Sequence, residues 1–129
     1  MTLTVEQLVA RARSRIRELD LGELSASQAR DAVLIDVREP DEYAQGHLPG
    51  AVNLPRGVLE FQIHAHPAMG CTASEALALS DRPLVLYCRT GGRSALAAES
   101  LQQLGFSDVH SLAGGFEAWR NAGLPITTA

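Results

Sequence analysis

The sequence contains no lysine, because all eleven basic residues are arginine. This absence excludes Schiff-base catalysis and general-base catalysis by a lysine amine. Cysteine is also scarce: Cys71 and Cys88 are too few for a disulfide framework, and neither has a C-x-x-C or zinc-finger spacing. We therefore predict two free thiols in a reducing, cytoplasmic compartment.

Long apolar runs are also absent. No run approaches the ~18 apolar residues that a membrane-spanning helix needs, and the N-terminal stretch has acidic residues among its arginines where a signal peptide would have an apolar core. The formal net charge of -4 argues against a general nucleic-acid or membrane-surface role. The 129 residues suffice for a chain that buries roughly two-thirds of its unfolded surface.

Residues 4–18 have the apolar spacing of an amphipathic helix. Thr4 and Gln7 match a capping box at its start. The arginines of this stretch fall mostly on another face; a solvated face is the simpler interpretation, and an anion or partner site is the alternative. We assign residues 1–24 to an N-terminal helical extension and residues 25–129 to the main domain.

The rest of the chain alternates apolar runs with helical patterns. Compact runs at 32–38, 82–88 and 108–112 predict buried strands, and a shorter strand is expected within 47–55. Helical patterns separate them: a capped helix from Ser25, a helix beginning at Pro40, two weak pieces over 57–80, and helices over 93–104 and 114–123. The alternation predicts an α/β protein with a parallel sheet covered by helices on both faces, in which ligands bind beyond the carboxyl ends of the strands.

The stretch CRTGGRS, residues 88–94, directly follows one of these strands, so Cys88 is predicted at the ligand-binding edge. An unperturbed thiol, with a pKa of ~8.5, is only about 3% ionised at pH 7, and the thiolate is the reactive form. Gly91 and Gly92 allow backbone N–H groups to converge on an anion, and the following helix adds its positive end. The two arginines of the stretch add positive potential. These features predict an anion-binding loop with an activated thiolate at its centre.

Other chemistry is less well supported by the residues. A buried, inert cysteine is the alternative for any thiol, and we prefer it for Cys71 but not for Cys88. The four histidines could supply a base, but a loop that ionises Cys88 needs none. The segment 64–71, HAHPAMGC, gathers soft-metal ligand types, yet His64 and His66 are two residues apart and poorly placed to share a metal on a strand or a helix. We predict no metal and no cofactor.

Three stretches of the sequence together resemble the rhodanese-like family, most closely its single-domain thiosulfate sulfurtransferases. LIDVREPDEYAQGHLPGAVNLP resembles the family's early strand and G-H-x-P-G-A turn. PLVLYCRTGGRSALAAESLQQLGF resembles the active-site strand, loop and helix, and LAGGFEAWRNAGLPI resembles the closing G-G-x-x-x-W element. The stretches occur in this order over residues 33–126.

The resemblance implies a roughly five-stranded parallel sheet and a sulfurtransferase. Cys88 would accept a sulfane sulfur from thiosulfate or another donor, become a persulfide, and pass the sulfur to a thiol or cyanide acceptor. Backbone N–H groups would hold the anionic sulfur in each state. The loop residues concerned are Arg89, Thr90, Gly91, Gly92, Arg93 and Ser94.

The matched positions outside the loop are expected to be mainly structural. They are the strand-end residues Asp36 and Arg38, the turn residues Glu42, His47 and Gly50, and the closing residues Gly114, Gly115 and Trp119. A direct catalytic role for Asp36 and Arg38 is the alternative.

Two other functions stay open. Related phosphatases separate cysteine and arginine by five residues, whereas four residues, RTGG, separate Cys88 from Arg93, which disfavours a phosphatase. A protein-interaction or sulfur-relay module is the second alternative, because the N-terminal helix and the segment 57–80 depart from the plain single-domain pattern. Cys71 lies in that segment and could resolve a persulfide into a disulfide if it approached Cys88. The physiological donor and acceptor and the oligomeric state are left open.

Overall fold

The apolar runs of the sequence form the central strands of one parallel sheet in the computed structural model, which describes residues 2–63 and 82–128. The described elements, in chain order, are α1 (Val5–Arg13), β1 (Arg17–Leu19), α2 (Leu21–Ala29), β2 (Val33–Asp36), α3 (Pro40–Gln45), β3 (Val52–Asn53), α4 (Leu59–Gln62), β4 (Leu84–Tyr87), α5 (Gly92–Gln103), β5 (Val109–Leu112) and α6 (Gly115–Asn121).

The five strands of the described chain have the order β1-β5-β4-β2-β3, and every neighbouring pair is parallel. The strand β4 is central, and all four of its residues are buried. A parallel sheet covered on both faces requires such continuous apolar strands. The predicted α/β class and roughly five-stranded parallel sheet are confirmed.

Helices bury both faces of the sheet. On one face, Ile35 and Leu86 of the sheet pack in a cluster with Leu101 of α5 and Leu59 of α4. On the other face, the cluster contains Leu24 of α2 and Trp119 of α6, with strand residues such as Val85. Two clusters of this kind remove apolar surface from water on both sides of the sheet, which is the main stabilising contribution to such a fold.

The N-terminal helix is shorter than the sequence pattern predicts. The capping box is confirmed: Gln7 N donates to Thr4 Oγ1 at 3.1 Å, and Thr4 N donates to Gln7 Oε1 at 2.8 Å. However, α1 ends at Arg13, and residues 17–19 form β1, so the predicted helix over residues 4–18 is wrong beyond Arg13. The reason is tertiary: residues 17–19 pair with β5 and add an edge strand to the sheet.

The region 1–24 therefore contains a strand of the sheet as well as a helix. Ala12 of α1 is fully buried, and Ile16 packs against the core cluster under α5. The proposed division between residues 24 and 25 stays a prediction, but the main sheet begins before it.

The second helix also begins earlier than predicted. Its N-cap is Asp20, whose carboxylate accepts a hydrogen bond from Glu23 N at 2.8 Å while Asp20 N donates to the Glu23 side chain. The predicted start at Ser25 is wrong, because aspartate caps a helix as well as serine does and Asp20 directly follows β1. The start of α3 at Pro40 is confirmed. Of the segment 57–80, α4 is described, and Cys71, with most of this segment, lies outside the described residues.

Candidate active site

Cys88 directly follows β4, the central strand, and its side chain is buried with 1% exposure. The chain then turns at Gly91, which has a φ of 115° and precedes α5. This left-handed conformation is one that glycine adopts without strain. As a result, Gly91 N points back and donates a hydrogen bond to Cys88 Sγ at 3.0 Å.

Hydrogen bonds within the loop lower the pKa of the Cys88 thiol. Burial acts in the opposite direction and would raise the pKa, but donors from Ser94, Gly91 and Thr90 together outweigh it. Ser94 contributes both its backbone N–H and its hydroxyl, and Thr90 and Gly91 contribute backbone N–H groups. Donors that favour the charged form stabilise a thiolate, so the geometry is suited to a nucleophilic sulfur.

A second serine, which sequence reasoning missed, lies behind the first. The Oγ atom of Ser94 is 3.6 Å from Cys88 Sγ and 2.7 Å from Ser111 Oγ. Both serines are fully buried. The available signal was a serine in the middle of the buried strand β5, where an apolar residue is expected. When the Ser94 hydroxyl donates to the sulfur, the Ser111 hydroxyl can donate to Ser94 in turn.

The two arginines of the loop are both paired with carboxylates. Arg93 forms a two-pronged ion pair with Glu42 of α3, at 2.8 and 3.2 Å, and Arg89 Nε donates to Glu117 of α6 at 2.9 Å. The hydrogen bond with Arg93 lowers the pKa of Glu42 to about 2. The pKa of Arg93 is raised, chiefly by Glu42 and also by the nearby charge of Cys88. Arg93 therefore supplies the positive potential expected at the sulfur, while Arg89 is directed toward α6.

The start of α6 supports the cysteine loop from outside. Phe116 N donates to the carbonyl of Cys88 at 2.8 Å, and Glu117 N donates to the carbonyl of Arg89 at 3.0 Å. Gly115 has a φ of 56° and lies so close to the Cys88 carbonyl that a Cβ atom does not fit there. The predicted role of Gly114 and Gly115 was closure of the sheet edge; the structure adds direct support of the loop.

The remaining matched residues connect the surrounding turns. The buried Arg38 forms an ion pair with Asp36 at 2.6 Å and donates to the carbonyl of Gly46 at 2.7 Å. His47 is buried, stacks on Tyr43 at 3.6 Å, and its Nδ1 atom lies 2.8 Å from the Tyr43 carbonyl. The hydrogen bond of the His47 ring is therefore made within the turn that follows Tyr43.

The end of α6 is held by Trp119, which is buried and donates from Nε1 to the carbonyl of Pro125 at 2.6 Å.

A cavity of about 300 Å³ lies between α3 and α6, next to the cysteine loop. Its wall includes Glu42 and Arg89, which belong to the two ion pairs of the loop, and Phe116, whose N–H binds the Cys88 carbonyl. One wall of the cavity therefore borders the backbone of Cys88, and the other side of the cavity opens to solvent.

The N-terminal helix α1 reaches the opposite side of the glycine turn. A Cβ atom on Gly91 would stand 3.3 Å from the Arg13 guanidinium, and one on Gly92 would stand 3.7 Å from Val9. Arg13 also lies 3.5 Å from Glu18. From the sequence, the arginines of this helix were expected on a solvated face, with an anion or partner site as the alternative. In the structure, the Arg13 guanidinium lies beside the cysteine loop.

Residues 2–63 and 82–128 contain no group of three or more histidine, cysteine, aspartate or glutamate side chains arranged to hold a metal ion. His64, His66 and Cys71, which the sequence singled out, fall outside these ranges. Within the same ranges, none of the helices has the length and hydropathy needed to cross a membrane.

Known proteins are similar to this chain over most of its length. A sulfurtransferase of Allochromatium vinosum is 37% identical over 113 residues, which cover 86% of this chain and 94% of the relative. The thiosulfate sulfurtransferase GlpE of Pseudomonas fluorescens is 35% identical over 116 residues, with 90% and 94% covered. These relatives support sulfur transfer as the general activity.

A solved structure from Rhodopseudomonas palustris is also similar, with a TM-score of 0.80 and 37% identity over 98% of this chain and 96% of that one. That protein is described as one of unknown function and a possible tyrosine phosphatase. The family model of the rhodanese-like domain matches residues 20–122, which include the cysteine loop and the helix α6 that supports it. From this match, the chain belongs to the rhodanese-like family.

Proposed function

We propose that this protein is a sulfurtransferase in which Cys88 carries a sulfur atom, as a persulfide, from thiosulfate or a similar anionic donor to a thiol acceptor. The observation that carries the proposal is the buried Cys88 Sγ that accepts the N–H of Gly91 at 3.0 Å, inside a loop whose donors lower the pKa of the thiol. The names of the relatives support the class of reaction.

In the first half-reaction, the Cys88 thiolate attacks the outer sulfur of thiosulfate. A sulfur–sulfur bond forms to Cys88, the sulfur–sulfur bond of thiosulfate breaks, and sulfite leaves with the electron pair. The terminal persulfide sulfur keeps a negative charge. We expect the loop donors of Thr90, Gly91 and Ser94, which lower the pKa of the Cys88 thiol, to stabilise it. The charge of Arg93 favours an anionic donor.

In the second half-reaction, an acceptor thiolate attacks the terminal sulfur, and Cys88 leaves as a thiolate. The same donors that stabilised the persulfide then stabilise the leaving group, so one preorganised site serves both steps. Cyanide can take the sulfur in the same way. No metal or cofactor is required for either step.

A phosphatase is the alternative that the R. palustris description raises. Two features favour sulfur transfer. Only four residues separate Cys88 from Arg93, and Gly91 N already lies 3.0 Å from Cys88 Sγ, so the loop is drawn closely around one sulfur.

A sulfur-relay module that forms the persulfide but turns over slowly is the other alternative, with a protein thiol as acceptor. The helix α1 beside the glycine turn is the feature that favours it. We place either activity in the cytoplasm, where thiols stay reduced.

The test is intact mass spectrometry after incubation with thiosulfate. We expect the mass of one added sulfur atom on the wild-type protein, its loss on addition of a thiol, and no addition in Cys88→Ser. A wild-type protein that gains no sulfur from thiosulfate or from polysulfide would contradict the proposal. Hydrolysis of a phenyl phosphate ester that depends on Cys88 would favour the phosphatase instead.

A further inference from the structure

Two buried serine hydroxyls form a short chain that ends at the sulfur of Cys88. The Oγ atom of Ser94 lies 3.6 Å from Cys88 Sγ and 2.7 Å from Ser111 Oγ. Both serines are fully buried, and a buried hydroxyl is costly unless it is hydrogen-bonded. In residues 2–63 and 82–128, the side-chain partner of Ser111 is the Ser94 hydroxyl. The hydroxyl of Ser111 is therefore committed to Ser94.

The position of Ser111 in the sheet does not by itself call for a hydroxyl. Ser111 lies in β5, where it pairs with Leu86 of the central strand, and Ser94 lies in the first turn of α5. Val109, two residues earlier and so on the same face of β5, belongs to the apolar cluster under α5. An apolar side chain at residue 111 would also fill this space, so packing does not account for the serine.

The proton of the Ser94 hydroxyl has two acceptors within reach, Cys88 Sγ and Ser111 Oγ. A serine hydroxyl carries one proton and two lone pairs. If Ser94 donates to Ser111, a lone pair of the Ser94 oxygen faces the sulfur, which disfavours a negative charge there. If Ser111 donates to Ser94, the Ser94 proton is directed to the sulfur instead. The direction of the hydrogen bond between the serines thus determines what the sulfur meets.

The charge of the sulfur determines which direction contributes more. A hydrogen bond to an ionised acceptor is roughly twice as strong as one between neutral groups, and donation by Ser111 polarises the Ser94 hydroxyl further. With a neutral thiol the chain runs in the other direction, and it then begins with the S–H group, which is a weak donor. The serine pair therefore contributes more to the thiolate than to the thiol.

We propose that Ser111 is a positioning residue, whose hydroxyl directs the proton of Ser94 to Cys88 Sγ and thereby stabilises the thiolate. This inference rests on the proposed sulfur transfer, in which Cys88 reacts as a thiolate and departs as one. Ser111 lies behind Ser94 and takes no part in the bond changes. Its influence on the sulfur passes through Ser94.

The experiment measures the pH midpoint of Cys88 alkylation by iodoacetamide in the wild type, Ser111→Ala, Ser94→Ala and the double variant. We expect Ser111→Ala to raise the midpoint, by less than Ser94→Ala does. In the double variant, loss of Ser111 should add nothing to the loss of Ser94, because the two residues act in one chain. Ser27→Ala is the matched control: it removes another buried serine hydroxyl, from α2 on the opposite face of the sheet, and should keep the wild-type midpoint.

Two results overturn the inference. The first is a midpoint in Ser111→Ala equal to that of the wild type. The second is a rise on loss of Ser111 that is as large in the Ser94→Ala background as in the wild type. Such a rise would mean that the substitution disturbs the loop in general, since an effect carried by the Ser94 hydroxyl disappears with it.

Sulfur uptake from thiosulfate, followed by mass spectrometry, connects the serine pair to the proposed reaction. Because the thiolate is the attacking species, Ser111→Ala should take up sulfur more slowly than the wild type below the alkylation midpoints. The difference should shrink above both midpoints, where both thiols are ionised. Alkylation requires no sulfur donor, so the two failures can be distinguished. A wild type that forms no persulfide contradicts sulfur transfer, whereas persulfide formation with an unchanged alkylation midpoint in Ser111→Ala contradicts the role of Ser111 alone.

Discussion

Gly115 lies directly against the carbonyl oxygen of Cys88, and a Cβ atom at residue 115 would stand 2.8 Å from the carbonyl carbon of Arg89 as well. Because the next two N–H groups bind the carbonyls of Cys88 and Arg89, the loop and the helix α6 form one unit. The glycine pair of the closing element is therefore a requirement of the cysteine loop.

Replacement of Gly115 by alanine should destabilise the protein and disturb the loop. The left-handed backbone costs an alanine about 1–2 kcal/mol, and displacement of the carbonyls adds about 1–3 kcal/mol of overpacking. Gly123→Ala is the control, because its φ is 74° but a Cβ atom there meets nothing within 4 Å. Urea unfolding should show a clearly larger loss in free energy of unfolding for Gly115→Ala than for Gly123→Ala. Equal losses would mean that the close contact of residue 115 with the loop adds no energetic cost.

Replacement of Ser94 by alanine should raise the pKa of the Cys88 thiol, because it removes the hydroxyl that lies 3.6 Å from the sulfur. The wild-type thiolate persists below the ordinary thiol pKa, and the variant should require a higher pH to form the thiolate. The pH dependence of alkylation by iodoacetamide measures this midpoint. Ser107→Ala, at an exposed position, should leave this midpoint unchanged. An unshifted midpoint in Ser94→Ala would mean that the Ser94 hydroxyl does not stabilise the thiolate.

Loss of Asp36 should destabilise the fold without changing the chemistry of Cys88. Asp36→Ala leaves the buried Arg38 guanidinium without its carboxylate, and an uncompensated buried charge costs about 3–5 kcal/mol. Glu99→Gln, which removes an exposed pair with Arg15, should cost less than about 1 kcal/mol. Urea unfolding measures the loss in free energy of unfolding for both variants. If folded Asp36→Ala protein has an altered alkylation midpoint, Asp36 has the catalytic role that the sequence left as an alternative.

The ion pair of Glu42 with Arg93 should make stability depend on acidity. In the folded protein, the pKa of Glu42 is lowered from 4.5 to about 2. Its stabilising contribution is therefore complete above the unfolded value and is lost as the pH falls from about 4.5 toward about 2. Because the pair is partly exposed, the contribution is expected to be about 1 kcal/mol at most.

Unfolding of the wild type and of Glu42→Gln across this pH range measures that contribution. The difference in free energy of unfolding between them should shrink on acidification. A constant difference between wild type and Glu42→Gln would contradict the depressed pKa.

Much of the fold was predictable because short-range sequence patterns determine where strands and turns form. The four-residue buried strands β2, β4 and β5 lie where compact, mainly apolar runs predicted them, since strands covered on both faces are rich in apolar residues. Gly91 in CRTGGRS could be read as a turn because only glycine adopts its backbone conformation freely. Where the sequence erred, the competing structure was tertiary: residues 17–19 pair with β5 instead of continuing a helix.

The sequence by itself thus determined the alternation of strands and helices, the parallel sheet, and the delivery of Cys88 to its carboxyl edge, because periodicity and glycine placement act between near neighbours in the chain. Only the tertiary structure decided what surrounds the cysteine loop. Ser111, Glu42 and Glu117 come from three different elements, and no spacing in the chain encodes their distances. Their meeting depends on how α3, β5 and α6 pack around the loop, and packing is a property of the whole fold.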